Sequence, residues 1–162
     1  MAEVKISDLT AATSLNATDT FPVVQSSTTK EADINDILNL VPVCFSIAFG
    51  DETTAHTTGT AKVTWNMPFG MVLTDVKVSL VTAGTGGTLF TVDLNEAGSS
   101  VLSTKITVDA TEKTSATAAT PPVISDSAIA VDALMTVDID TMDSGAVAAG
   151  GKIYLIGTRT AV

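Results

Sequence analysis

Hydrophobic and polar residues alternate with a period of two over much of the chain after residue 42. Successive side chains of a β-strand point to opposite faces, so strict alternation predicts strands with one buried and one solvated face. Seven runs follow this pattern: Phe45–Phe49, Val63–Met67, Val76–Leu80, Phe90–Leu94, Leu102–Val108, Leu134–Ile139 and Ile153–Ile156. Short strands separated by glycine and proline turns predict an all-β fold, an antiparallel β-sandwich of about eight strands that resembles a jelly roll.

Breakers rich in glycine and proline separate the seven runs. The tetrapeptide Gly84-Thr85-Gly86-Gly87 lies between two of them, and we interpret it as a hairpin turn. A phosphate-binding loop is disfavoured there, because no Lys-Ser or Lys-Thr pair follows and no helix begins.

The first 41 residues show a different pattern, and we call this segment the arm. Phe21–Gln25 is a short strand candidate that leads into a Ser/Thr-rich turn. Asp33 is suited to cap a helix, with Asp36 three residues later in a layout close to a capping box. The helix ends before Pro42. Its apolar positions fall at helical spacing on one face: Ile34, Ile37, Leu38 and Val41.

The sequence therefore predicts two parts, the arm over residues 1–41 and a β-sandwich domain over residues 42–162. A chain of about 40 residues or fewer rarely forms a stable core alone. The arm must therefore rest on its own sandwich, on a neighbouring subunit or on another protein.

The charge of the chain narrows the classes of partner. Eighteen acidic residues against eight basic ones give a net charge of −10. Phosphate backbones and anionic membrane surfaces are bound through Lys and Arg, so we expect neither nucleic acid nor membrane as a partner. The sequence begins without the pattern of a secretory signal peptide and has no apolar run of transmembrane length.

Groups of carboxylates raise two possibilities, a cation site and a catalytic acid/base pair. Asp138, Asp140 and Asp143 are close in sequence, and hard cations such as calcium prefer clustered carboxylates. Their spacing does not match an EF-hand loop, and a solvated acidic face is the favoured alternative. Asp93 and Glu96 are conceivable as a general acid/base pair, but their surroundings indicate a strand end and a turn.

The chain has one histidine, one cysteine and one tryptophan, and none of them supports a metal, catalytic or sugar-binding site. The single His56 and the single Cys44 are too few for a zinc site or a Ser-His-Asp triad. Cys44 lies in an apolar run and is expected to be buried. Trp65 shares its strand face with other apolar residues, so we expect a core position rather than a sugar-binding platform. We therefore predict a protein that is not an enzyme and has no catalytic residue, cofactor or metal.

Two groups of segments resemble proteins of bacteriophage particles. Lys5–Leu15, Asp19–Gln25 and Thr29–Ala32 resemble an N-terminal segment that opens head fibres, capsid decoration proteins and tail appendages. The chain departs from that pattern at residues 16–18, where a glycine is common, and at Glu31. The second group resembles the β-rich domain of phage appendage or head-surface proteins: Thr58–Phe69, Val92–Glu96, Leu102–Lys105 and Ile124–Asp126.

The resemblance implies a structural protein on the outer surface of the virion, made in the host cytoplasm. It implies homo-oligomers, often trimers, whose N-terminal part is held by the shell or a baseplate component. We expect a capsid decoration protein, either a cement protein or a head fibre, with the major capsid protein or another virion protein as partner. The alternative is a tail appendage or receptor-binding module. From apolar placement we predict these partner-binding residues in the arm: Ile6, Leu9, Phe21, Val23, Ile34, Ile37 and Leu38.

Overall fold

A computed structural model of the chain describes residues 14–16, 18–38 and 40–160, apart from the side chain of Leu38. The prediction of an all-β fold is confirmed, since the described residues contain a single short α-helix and strands that are paired antiparallel. In chain order the α-helix and strands are β1 (Thr20–Gln25), β2 (Thr28–Asp33), α1 (Ile34–Leu38), β3 (Pro42–Ala48), β4 (Gly59–Asn66), β5 (Met71–Ser79), β6 (Phe90–Glu96), β7 (Ser99–Ser100), β8 (Leu102–Thr104), β9 (Ile106–Val108), β10 (Val123–Ile124), β11 (Ala128–Ile129), β12 (Leu134–Thr141) and β13 (Lys152–Arg159).

Each of the seven predicted runs coincides with strand structure. The run Leu102–Val108 is divided at Lys105 into β8 and β9, and the other six runs fall on the six longest strands. The predicted faces are also correct. In β12, for example, Met135 and Val137 are fully buried while Leu134 is exposed. Alternation therefore identified both the strands and their buried sides.

Two larger sheets contain the long strands. One has the order β11-β5-β13-β3, and the other has the order β4-β12-β6-β7 with β9 also paired to β6. The long strands alternate between these sheets along the first half of the chain: β3 and β5 lie in one, and β4 and β6 lie in the other. The interpretation of Gly84–Gly87 as a hairpin turn was wrong, because the strands on either side of it, β5 and β6, belong to different sheets.

Both sheets contribute side chains to one hydrophobic core. Ile153 and Leu155 of β13 are fully buried, as are Phe90 of β6 and Val137 of β12. Burying an aliphatic or aromatic side chain contributes about 1.5–3 kcal/mol, so this shared core is the main stabilising feature of residues 42–160.

Cys44 is exposed, which corrects the expectation that it is buried. Its neighbour Phe45 points towards the core, so Cys44 is on the opposite face of β3. The outward residues of β3 after its first position are Cys44, Ser46 and Ala48, and all three are exposed. An apolar run in the sequence indicates a strand, but the outward residues of an end strand remain in solvent.

Candidate docking surface

The described part of the arm is a β-hairpin followed by one turn of helix. Strands β1 and β2 pair from Thr20 with Asp33 to Gln25 with Thr28, so the connecting turn has two residues. These residues, Ser26 and Ser27, have φ angles of 51° and 63°. Positive φ at both central residues is the signature of a type I′ turn, whose twist matches that of the paired strands. The turn therefore sets the register of the hairpin.

Reciprocal hydrogen bonds fix the start of helix α1. The backbone N–H of Asp36 donates to Oδ1 of Asp33 at 2.9 Å, and the backbone N–H of Asp33 donates to Oδ2 of Asp36 at 3.1 Å. This is the geometry of a capping box, with Asp in place of the usual Glu. The predicted cap is confirmed, and it sets the direction in which the helix leaves the hairpin.

Apolar side chains are unusually exposed in the arm. Among the described residues, five exposed large hydrophobic side chains lie within residues 14–41 and six lie within residues 42–160, although the second stretch is about four times as long. None of the six exceeds 51% exposure, whereas three in the arm reach 69% or more. The five are Leu15, Val24, Ile37, Leu40 and Val41. Because exposed apolar side chains are concentrated in this short segment, we take the arm as the candidate interaction surface.

The hydrogen bonds of the arm are local. Asn16 and Asp19 bond to each other, Asp19 accepts from the backbone N–H of Ile34, and Leu40 bonds back to Ile37. For the residues that the structure describes, every hydrogen bond found for residues 14–41 stays within that stretch. No hydrogen bond in the described chain therefore ties this stretch to the domain.

The predicted partner-binding residues are distributed over the described and undescribed parts of the arm. Ile6 and Leu9 lie outside the described residues. Phe21, Val23 and Ile34 are half-buried, and Ile37 is 45% exposed. Leu38 belongs to α1, and its side chain is outside the description. The role of these residues in binding stays a prediction.

Sequence reasoning missed the most exposed of the large hydrophobic side chains described in the arm. Leu40 is 81% exposed and Val24 is 76% exposed, more than any residue of the predicted set that the structure describes. Val24 follows Val23 directly, so it occupies the opposite face of β1. Two successive apolar residues in a short hairpin strand are the signal that both faces carry apolar surface.

Apart from the arm, a cluster of polar side chains lies on the sheet that contains β6 and β12. Nζ of Lys105 is 3.0 Å from Oδ2 of Asp93 and 2.5 Å from Oδ2 of Asp140. The buried Asp93 also accepts a hydrogen bond from Oγ of Ser100 at 2.6 Å. The hydrogen bond with Asp140, and then that with Asp93, raises the pKa of Lys105. The cluster ties the chain between β7 and β9 to the sheet.

The carboxylates considered for other chemistry have separate partners. Glu96 accepts from the backbone N–H of Ala130, so its contacts differ from those of Asp93. Asp138 accepts from a backbone N–H of β4, and Asp143 is buried, which raises the pKa of its carboxyl. Within the described ranges, no group of three or more His, Cys, Asp or Glu side chains is arranged to hold a metal ion.

His56 is a buried part of the core edge. Its ring stacks on Phe49 with a centroid separation of 5.2 Å and lies 5.5 Å from Phe90. Nε2 accepts a hydrogen bond of 3.0 Å from the backbone N–H of Gly151. A ring nitrogen that accepts is unprotonated, so the proton of the neutral imidazole is on Nδ1. His56 thereby joins the β3–β4 connection to the start of β13.

Trp65 contacts the core, as its strand face predicted. Its ring stacks on Phe45 at 6.1 Å, and both side chains are half-buried against the core cluster. Phe69 meets Phe45 edge to face, and the guanidinium of Arg159 lies 5.2 Å from the centre of the Phe69 ring. These aromatic side chains close one end of the core.

Comparisons with known proteins give no family assignment. No family model matches the chain, and neither does any curated protein or solved structure. Among the helical residues that the structure describes, none belongs to a helix long and apolar enough to cross a membrane.

Proposed function

We propose that this protein decorates the capsid of a bacteriophage, as a cement protein or a head fibre. The arm binds the assembled shell, and residues 42–160 form a domain on the outer surface of the particle. The observation that carries the proposal is the concentration of highly exposed apolar side chains in the arm. The resemblance of residues 5–32 to the N-terminal segment of phage particle proteins supports the same role.

We further infer that the two larger sheets pack face to face as a β-sandwich with jelly-roll connectivity. Their strand orders, β11-β5-β13-β3 and β4-β12-β6 with β7 and β9, support this inference. Successive long strands that change sheet are a feature of the two Greek keys of a jelly roll. Jelly rolls occur in viral capsid proteins and in lectins, so the fold agrees with either a shell role or a host-binding role.

A decoration protein would stabilise the shell by mass action. A ligand that binds the assembled shell and not its dissociated subunits stabilises the shell in proportion to the logarithm of its free concentration. Docking would transfer side chains such as Val24 and Leu40 from water into an interface. Each such burial is favourable by about 1.5–3 kcal/mol before the cost of ordering the arm is subtracted.

Binding of the purified protein to particles assembled without it tests the proposal. We expect the double variant Val24→Asp/Leu40→Asp to bind about tenfold or more weakly, because two exposed apolar contacts become charged. The matched control is Val123→Asp/Val131→Asp, which changes two half-exposed valines of the domain. This control should bind like the unmodified protein. Equal binding by the arm variant would overturn the proposed role of the arm.

The copy number per purified particle, measured against the major shell protein, shows whether the protein covers the capsid lattice or occurs at only a few positions of the virion. A number similar to that of the shell subunit supports decoration of the capsid lattice. A few copies would instead favour sparse head fibres or the alternative, a tail appendage or receptor-binding module. A glycan-binding screen would then test that alternative for host recognition. Absence from particles would overturn both.

A further inference from the structure

Strand β3 is a long and unprotected sheet edge. It is the last strand of its sheet, and it pairs with β13 without interruption from Pro42 opposite Thr158 to Ala48 opposite Lys152. Its seven residues carry no charge. An end strand presents a row of free backbone N–H and C=O groups, so a regular, uncharged edge is a template for another strand.

Other edge strands in the described chain carry features that discourage such pairing. Strand β4 contains Lys62, has Ala61 at a φ of 50° and is bulged against β12. In the hairpin, β1 contains Pro22, and β2 contains Lys30 and Glu31. Strands β7 to β11 have only two or three residues each. Charges, prolines, bulges and short length are the usual protection of sheet edges, and β3 has only a proline at its first position.

The core-facing side chains of β3 would gain from an added strand. Phe45 and Ile47 are half-buried, whereas their partners on β13, Leu155 and Ile153, are fully buried. In the described chain no strand pairs with the free side of β3, which accounts for the difference. A further strand there would remove apolar surface from water and would also satisfy the backbone groups of the edge.

We propose that β3 pairs antiparallel with β3 of a second copy of this chain, across a two-fold axis. A two-fold interface requires a surface that is complementary to itself. Strand β3 meets this requirement, because two antiparallel copies of it can pair with apolar residues opposite apolar residues. Full overlap centred on Phe45 places Val43 opposite Ile47 and Phe45 opposite its counterpart, so apolar side chains stay on one face. The chain has a net charge of −10, and the neutral edge lets two acidic copies meet without facing charges.

The mass of the full-length protein in solution, measured by light scattering over a dilution series, tests this proposal. We expect a dimer that dissociates on dilution. Ser46→Lys adds a charge at an exposed, outward position of β3 and should halve the mass to that of a monomer. Thr64→Lys is the matched control, because Thr64 is an exposed position of the other long edge strand, β4. Circular dichroism checks that both variants fold.

Cys44 provides an independent test in the unmodified protein, because it is the only cysteine and is exposed. In the proposed register the two Cys44 residues are diagonal neighbours, about 7–8 Å apart. A short bis-maleimide should therefore produce a covalent dimer efficiently. A monomer at all concentrations would overturn the proposal, as would a dimer that persists in Ser46→Lys. A trimer, which the resemblance to phage proteins implies, would also overturn two-fold pairing through β3.

Discussion

Phe90 in the domain is fully buried, whereas Val24 in the arm is 76% exposed. The domain places its large side chains in a core shared by two sheets. The arm holds its shape by a two-residue turn and by the reciprocal bonds of Asp33 and Asp36. An isolated hairpin is marginally stable in water. The comparison indicates that the domain has a core of its own to stabilise it. If the arm docks as proposed, it would gain stability on binding.

The largest expected effect is loss of core packing in the domain. Phe90→Ala should lower the free energy of unfolding by about 3–5 kcal/mol, because it opens a cavity beside Phe49 and His56. Urea denaturation measures this change. Val24→Ala in the arm should change it by less than about 0.5 kcal/mol. Similar losses in both variants would contradict the contrast between the two regions.

Acidification should weaken the domain through His56. Burial lowers the pKa of His56, nearby Lys62 lowers it further, and Asp51 opposes the shift. The unfolded chain therefore binds the proton more readily, so stability falls as the pH drops below about 6.5 towards the folded pKa. Protonation would also remove the acceptor for Gly151.

Urea denaturation between pH 8 and pH 5 measures this dependence. His56→Gln is the matched variant, because its amide oxygen can replace Nε2 as acceptor and does not titrate. The variant should lack the component of the pH dependence that the unmodified protein shows near pH 6. If the two proteins respond identically to pH, His56 is not the group responsible.

In the arm, a smaller and local effect is expected from loss of the helix cap. Asp33→Ala should destabilise α1 by about 1 kcal/mol, because the N–H of Asp36 loses its acceptor. Faster amide hydrogen exchange in α1 would report this change. The urea midpoint of the domain should stay the same, and a large shift in it would show that the two regions unfold together.

The smallest effect is expected at the hairpin turn. Ser26→Asn with Ser27→Gly should stabilise the hairpin by up to about 1 kcal/mol, because these residues tolerate positive φ better than serine. Slower hydrogen exchange of the β1–β2 amides measures the gain. Replacing both serines by alanine is the control and should give no such slowing, since alanine keeps the strain of a Cβ atom at positive φ.

Much of the local structure was predictable from the sequence. Period-two alternation located the long strands and their buried faces, and Asp33 with Asp36 located the helix cap. The candidate docking surface was predicted less well. The exposure of Leu40 and Val24 depends on which parts of the fold pack against them. The pattern of neighbouring residues in the sequence does not show this packing.

The sequence by itself determined which segments are strands and which side of each strand is apolar, because these properties depend on neighbouring residues. Only the tertiary structure decided how strands pair. It placed β5 and β6 in different sheets, brought Lys105 to Asp140, and left Cys44 and the rest of β3 at an edge. The physical reason is that strand pairing joins backbone groups distant in sequence, and backbone groups are alike in every residue except proline.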